Sequence, residues 1–159
     1  MMIEYLPPLL VAAVVGTGLV TGLLFAFANF ALDALADLET EAGMFAMRQI
    51  NKRIRNPLFF LLFAGTPIVC AAILLIAVFA PELPARWWLV AGASLYLAGP
   101  LGITAMHNVP LNNRLEAADW SNAERVWPAY RRRWQFWNHI RTALGILALG
   151  ALGIGAVAV

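Results

Sequence analysis

The chain has 159 residues, of which 62% are hydrophobic and only 13% are charged. A soluble domain usually has about 25% charged residues, and a core of this size could not bury so much apolar surface. The composition therefore excludes an ordinary soluble domain, and the net charge of +2 is too small to indicate nucleic-acid binding. Because Cys70 is the only cysteine, the chain contains no intrachain disulfide and no cysteine-based metal motif.

Four stretches are apolar over the roughly 20 residues that a helix needs to cross about 30 Å of hydrocarbon. They cover residues 6–32, 57–79, 87–109 and 137–159. Each stretch must be helical, because lipid offers no partner to unpaired backbone groups. Residues 1–159 are therefore predicted to form a single transmembrane domain of the all-α class. This domain is an integral membrane four-helix bundle with short amphipathic interfacial helices in its two long connections.

Both long connections show helical patterns. In the first, Met47, Ile50 and Ile54 share one face of a helix, which is typical of an amphipathic helix lying at the membrane interface. In the second, four aromatic residues recur at intervals of three and four: Trp127, Tyr130, Trp134 and Trp137. We interpret this stripe as an anchor at the level of the headgroups. Pro128 predicts that the helix begins or kinks there.

The basic residues predict the orientation in the membrane. Ten of the eleven Lys and Arg residues lie in or beside the two long connections, and only Arg86 lies in the short one. Positive loops stay in the cytoplasm. Both long connections are therefore predicted to be cytoplasmic and both termini outside, in a multi-pass protein of the inner (cytoplasmic) membrane.

With this orientation, polar side chains of all four spans gather at the cytoplasmic face. They are Asn29, Asn51, Asn56, His107, Asn108, Asn112, Asn138, His139 and Arg141. Polar groups in lipid are costly, so their convergence predicts a functional pocket. Each residue alone also has a structural interpretation: an asparagine caps a helix, a histidine is structural, and Arg141 snorkels to phosphates.

The types of residue in the predicted pocket limit the reactions that it could catalyse. Two histidines are too few for a zinc site, so no metal is predicted; a haem or metal held between His107 and His139 stays an alternative. A neutral histidine beside Asn and Arg donors suits removal of a proton from an acidic carbon or phenol. The donors would then hold the resulting oxyanion.

Several segments resemble the anthrone-oxygenase-like family of small four-helix membrane proteins. They are Gly22–Phe30, Met47–Arg53, Asn56–Phe59, His107–Asn113 and Trp137–Thr142. The most specific are Asn-Val-Pro-Leu-Asn at 108–112 and Trp-Asn-His-Ile-Arg-Thr at 137–142. The resemblance covers nearly the whole chain.

The resemblance implies a cofactor-independent oxygenase that oxidises a hydrophobic, anthrone-like aromatic, with dioxygen as co-substrate. It implies His139 as the first choice for the base, His107 as the second, and Arg141 as the oxyanion-stabilising residue. Asn108, Asn112 and Asn138, supported by Asn29, Asn51 and Asn56, would bind the substrate. Membrane lipids are the other expected partners, without nucleic acid, and a homo-oligomer is compatible with the sequence. A non-catalytic protein that binds lipid or quinone, or assists assembly, is a further alternative.

Overall fold

The computed structural model describes residues 5–159, and the first four residues of the predicted domain lie outside this range. All regular structure within it is helical. The helices are α1 (Leu6–Ala36), α2 (Thr40–Arg53), α3 (Pro57–Phe79), α4 (Arg86–Glu116) and α5 (Ala123–Val157). Except for α2, all are long and apolar enough to cross a membrane. The predicted all-α membrane bundle is confirmed.

The four long helices form a ring around one core. Helices α1 and α4 each pack along α5, and α3 packs against α1 and α4 from the opposite side. The outward-facing side chains are also apolar: Leu61, Ile68 and Phe79 are each about 70% exposed. Exposed apolar surface on this scale marks a site of membrane or protein contact. Together with the four apolar helices, it shows that the chain is a membrane protein.

Helix α4 continues past the predicted end of the third span. Its middle, Leu97–Asn108, is wound as a π-helix, in which the N–H of Val109 donates to the carbonyl of Thr104, five residues back. Pro110 has no N–H to donate, and the wider turns let the chain accommodate it and continue as an α-helix over Val109–Glu116. The helix therefore changes to π-helical turns before Pro110 and continues beyond the proline.

The first long connection forms the predicted amphipathic helix, α2. Its Met44 and Met47 pack against Leu115, Trp127 and Tyr130, in a second core at this end of the bundle. We call this end, which contains α2 and residues 117–122, the polar end. The second connection differs from the prediction, because it contains only a 3-10 turn at Trp120–Asn122 and α5 itself begins at Ala123 and runs through Pro128.

The aromatic stripe of α5 is part of this second core. Trp127, Tyr130 and Trp134 are at most 5% exposed, because α2 and the end of α4 cover them. Only Trp137 remains half-buried at the surface. The interpretation of the stripe as a headgroup anchor is therefore wrong for three of its four members.

Arg48 joins α2 to the end of α4. Its Nε donates to the Leu115 carbonyl (3.0 Å) and its Nη2 to the Ala118 carbonyl, and its guanidinium lies 4.1 Å from the Trp120 ring centroid.

Replacing Arg48 by methionine is expected to lower the free energy of unfolding by about 3 kcal/mol, since two carbonyls lose a charged donor and a cation–π contact disappears. Thermal unfolding in detergent measures this. The same change at the exposed Arg53 is the control, and equal losses in both variants would contradict the assignment.

Candidate functional site

Arg141 is the centre of a buried hydrogen-bond cluster at the polar end. Its side chain is 5% exposed. Nε and Nη2 donate to Asn138 Oδ1 (3.0 and 2.8 Å), and Nη1 donates to Thr104 Oγ1 (2.7 Å). The guanidinium carbon lies 5.0 Å from the Trp134 ring centroid. Since these partners are neutral, the bonds that hold the guanidinium leave its positive charge uncompensated.

Two buried asparagines connect this cluster to the neighbouring helices. Asn138 donates from Nδ2 to the Leu24 carbonyl of α1 (3.1 Å), so α1 fixes the amide that orients Arg141. Asn108 donates to the Trp134 carbonyl (3.3 Å), while its Oδ1 is buried without a hydrogen-bond partner. An unsatisfied buried acceptor costs about 1–3 kcal/mol, so this oxygen is suited to a donor on a ligand.

Asn112 and Asn51 extend the polar surface towards α2. The Oδ1 of Asn112 accepts hydrogen bonds from Tyr130 Oη (2.9 Å) and Trp134 Nε1 (2.8 Å). These two bonds fix the aromatic face of α5 against α4. On α2, the Nδ2 of Asn51 is buried without a partner. Among its fully buried amide atoms, the site therefore has a donor on Asn51 and an acceptor on Asn108 without a protein partner.

A cavity of about 290 Å³ lies beside the cluster. It is at the lower end of the range for small-molecule sites, about 300–1,000 Å³. Its polar wall consists of Asn51, Thr104, Asn108, Asn112 and Arg141, and its apolar wall mainly of Leu23, Phe27, Met47, Phe59, Phe60 and Phe63. This asymmetric lining fits a largely apolar molecule with oxygen atoms along one edge.

The cavity borders two different surroundings. Phe60 is about half exposed and Leu23 about one-third exposed on the outside of the bundle, where the helices face lipid. At the polar end, Arg55, Asn113 and Glu116 are exposed lining residues. Of the described residues that line the cavity, Glu116 is the only carboxylate and none is a histidine.

The structure brings together five of the nine predicted site residues. Asn51, Asn108, Asn112 and Arg141 line the cavity, and Asn138 holds Arg141 from behind. They come from α2, α4 and α5. The predicted shared pocket therefore has a physical counterpart in these five residues.

The other four predicted residues do not line the cavity. His107 stacks on Trp137, with ring centroids 3.5 Å apart, and His139 and Asn29 are exposed on the outside of the bundle. Asn56 caps α3 by accepting from the Phe59 N–H and donating to the Arg53 carbonyl. Within residues 5–159 no three His, Cys, Asp or Glu side chains are grouped to hold a metal, so the haem or metal alternative rests on two histidines alone.

Sequence reasoning missed three contributors. Thr104 lies four residues before Asn108 and shares its helical face; this spacing is visible in the sequence, but Thr104 was not among the predicted site residues. Glu116 lies beyond the predicted end of the third span and was therefore not considered. Trp134 was recognised only as part of an aromatic stripe, whose inward orientation depends on the docking of α2.

Comparison with known families identifies the family of the chain. The family model described as anthrone oxygenase matches residues 59–151, more than half of the chain. The chain belongs to the anthrone oxygenase family. No curated protein and no solved structure matches it. The family match covers α4 and most of α3 and α5, including Asn108, Asn112, Asn138 and Arg141.

Proposed function

We propose that this member of the anthrone oxygenase family is a membrane oxygenase. It oxidises a flat, hydrophobic, anthrone-like ketone with dioxygen as co-substrate. The observation that carries the proposal is the uncompensated charge of Arg141 in the wall of a mainly apolar cavity. A buried cation without a counterion favours a ligand that becomes an oxyanion during the reaction, and such stabilisation is a major source of catalysis.

The reaction requires an acidic methylene group next to aromatic rings that are conjugated with a ketone. Loss of one proton gives an enolate, whose oxygen would lie against Arg141 while the carbanion carbon adds dioxygen. Protonation gives a hydroperoxide, and loss of water from it leaves a new carbonyl. One oxygen atom enters the product and the other leaves as water, so the CH2 carbon is oxidised and dioxygen is reduced without a further reductant.

Glu116 is the proposed proton acceptor, since it is the only carboxylate among the described lining residues. His139, the first choice from the sequence, is exposed outside the cavity. Glu116 has access to the cavity, which neither histidine has, and it lies twelve residues along α4 from Thr104, so the proton reaches it through water. The unpartnered Asn108 Oδ1 and Asn51 Nδ2 are suited to the hydroxyl and carbonyl groups at the polar edge of the substrate.

The proposed substrate enters from the bilayer beside Phe60 and Leu23. We further propose the orientation predicted from the basic residues, with the polar end in the cytoplasm. The catalytic cluster then lies at the inner leaflet, and Glu116 at the aqueous mouth of the cavity can pass the proton to water.

The proposal is tested by the oxidation of anthrone by protein in nanodiscs, with parallel recording of oxygen uptake and anthraquinone absorbance. Wild-type protein is expected to exceed the rate in empty nanodiscs and to consume one dioxygen per quinone formed. Glu116→Gln is expected to lower the rate at least about 100-fold, in the range of general-base effects. His139→Ala and Glu124→Gln, both outside the cavity, should leave it unchanged. A rate equal to that of empty nanodiscs would contradict the proposal.

A further inference from the structure

A second concave site lies on the outside of the polar end. A groove of about 280 Å³ runs between the last turns of α4 and the first turns of α5. We call it the arginine groove. Its basic lining residues are Arg114, Arg125 and Arg133, and its apolar floor includes Leu111, Val126 and Ala129. It is separate from the Arg141 cavity, because Tyr130 stands between the two.

The charges of the groove are unbalanced. All three arginines are exposed, and no acidic residue lines the groove in the described part of the chain. Arg125 donates to Asn122 Oδ1 (3.2 Å), whereas within residues 5–159 Arg114 and Arg133 donate to no protein acceptor. Three cations facing one space repel each other, and an anion between them would remove this repulsion.

The position of the groove along α5 indicates the source of the anion. Trp137, at the start of the fourth apolar span, marks the edge of the hydrocarbon. Arg133 lies one turn before it, at a rise of about 6 Å. The headgroup layer on each side of a bilayer is about 5–8 Å thick, so Arg133 lies at the depth of lipid phosphates. Arg125, eight residues or about 12 Å farther out, lies beyond this layer on the water side of the phosphates.

We propose that the arginine groove binds one anionic phospholipid. Arg133 holds the phosphate, Arg114 and Arg125 attract it from the water side, and the floor of the groove contacts the headgroup. Tyr130 lines the groove and also donates to Asn112 of the cavity wall. A bound lipid therefore supports the position of the cavity wall from outside, whatever reaction the cavity carries out.

The whole protein, delipidated in neutral detergent, provides the test. Its midpoint of thermal unfolding is recorded against added phosphatidylglycerol, phosphatidylcholine or inorganic phosphate. Phosphatidylglycerol is expected to raise the midpoint by mass action, while the other two have little effect. The triple variant Arg114→Gln, Arg125→Gln and Arg133→Gln should bind phosphatidylglycerol at least about tenfold more weakly than the charge-matched control Lys52→Gln, Arg53→Gln and Arg132→Gln.

Three results would overturn the proposal. Equal weakening in the two triple variants would show general attraction to a basic surface. Equal stabilisation by inorganic phosphate would show a site for a free anion and not for a lipid. Native mass spectrometry of the wild type, which needs no variant, should show one retained phosphatidylglycerol in preference to phosphatidylcholine, and retention of both alike would also count against the site.

Discussion

Replacing Arg141 by methionine is expected to lower the oxidation rate at least about 100-fold, a far larger effect than its effect on thermal stability. The rate falls because removal of a single oxyanion donor costs about 10²–10³ in turnover, and here the charge is removed as well. Stability should fall less, because two changes oppose each other. The buried oxygens of Asn138 and Thr104 lose their donor, which costs about 1–3 kcal/mol, but the desolvation cost of a buried, uncompensated guanidinium also disappears. Methionine fills much of the same volume without that cost. Activity and stability should therefore separate.

The separation distinguishes a catalytic from a structural arginine. Oxidation rate and unfolding midpoint are measured on the same preparation, with Arg132→Met as the control at an exposed position of the same helix. Arg141→Lys should have an intermediate rate, because an ammonium keeps the charge but cannot span Asn138 and Thr104 with a planar fork. A variant that loses activity only in proportion to its loss of folded protein would show that Arg141 merely holds the helices together.

The fold was largely predictable because hydropathy determines which segments cross a membrane. The second span was predicted at residues 57–79, and helix α3 occupies Pro57–Phe79. The other helices extend beyond their apolar stretches, since a helix does not have to end where the hydrocarbon ends. In α4, the π-helical turns before Pro110 depend on local hydrogen bonds. A count of apolar residues does not reveal these bonds.

The end of the bundle at which the site residues lie was predictable from the sequence. Which of their side chains point inward was only partly predictable. Neighbouring residues of a helix differ by about 100°, so Asn138 can be buried while His139 is exposed at the same depth. The ring of helices decides which direction is inward. Likewise, the burial of Trp134 and its bond to Asn112 depend on α2 folding over this face of α5, a tertiary contact without a local sequence signal.

Converting Asn138 to aspartate should remove the preference of the cavity for oxyanions, at the cost of the hydrogen bond that Nδ2 donates to the Leu24 carbonyl. Asn138 Oδ1 already accepts two hydrogen bonds from Arg141, so a carboxylate there would become the counterion that the guanidinium lacks. The enolate oxygen would then lie beside an ion pair of zero net charge instead of an unpaired guanidinium. A charge-assisted hydrogen bond contributes about 1.5–3 kcal/mol, so the affinity for an anionic ligand should fall about 10–100-fold.

Two ligands of the same shape make this test specific. Binding of 2-hydroxyanthraquinone as its phenolate and of unsubstituted anthraquinone is followed by fluorescence quenching at a mildly alkaline pH that ionises only the former. Asn138→Asp should weaken the phenolate and leave the neutral quinone nearly unchanged, because the apolar wall with Phe59 and Phe63 stays intact. Asn113→Asp adds the same charge at the exposed mouth, where water screens it, and should have little effect. Equal weakening of both ligands in Asn138→Asp would mean that the substitution distorted the cavity, and an unchanged phenolate affinity would mean that Arg141 does not recognise the anion.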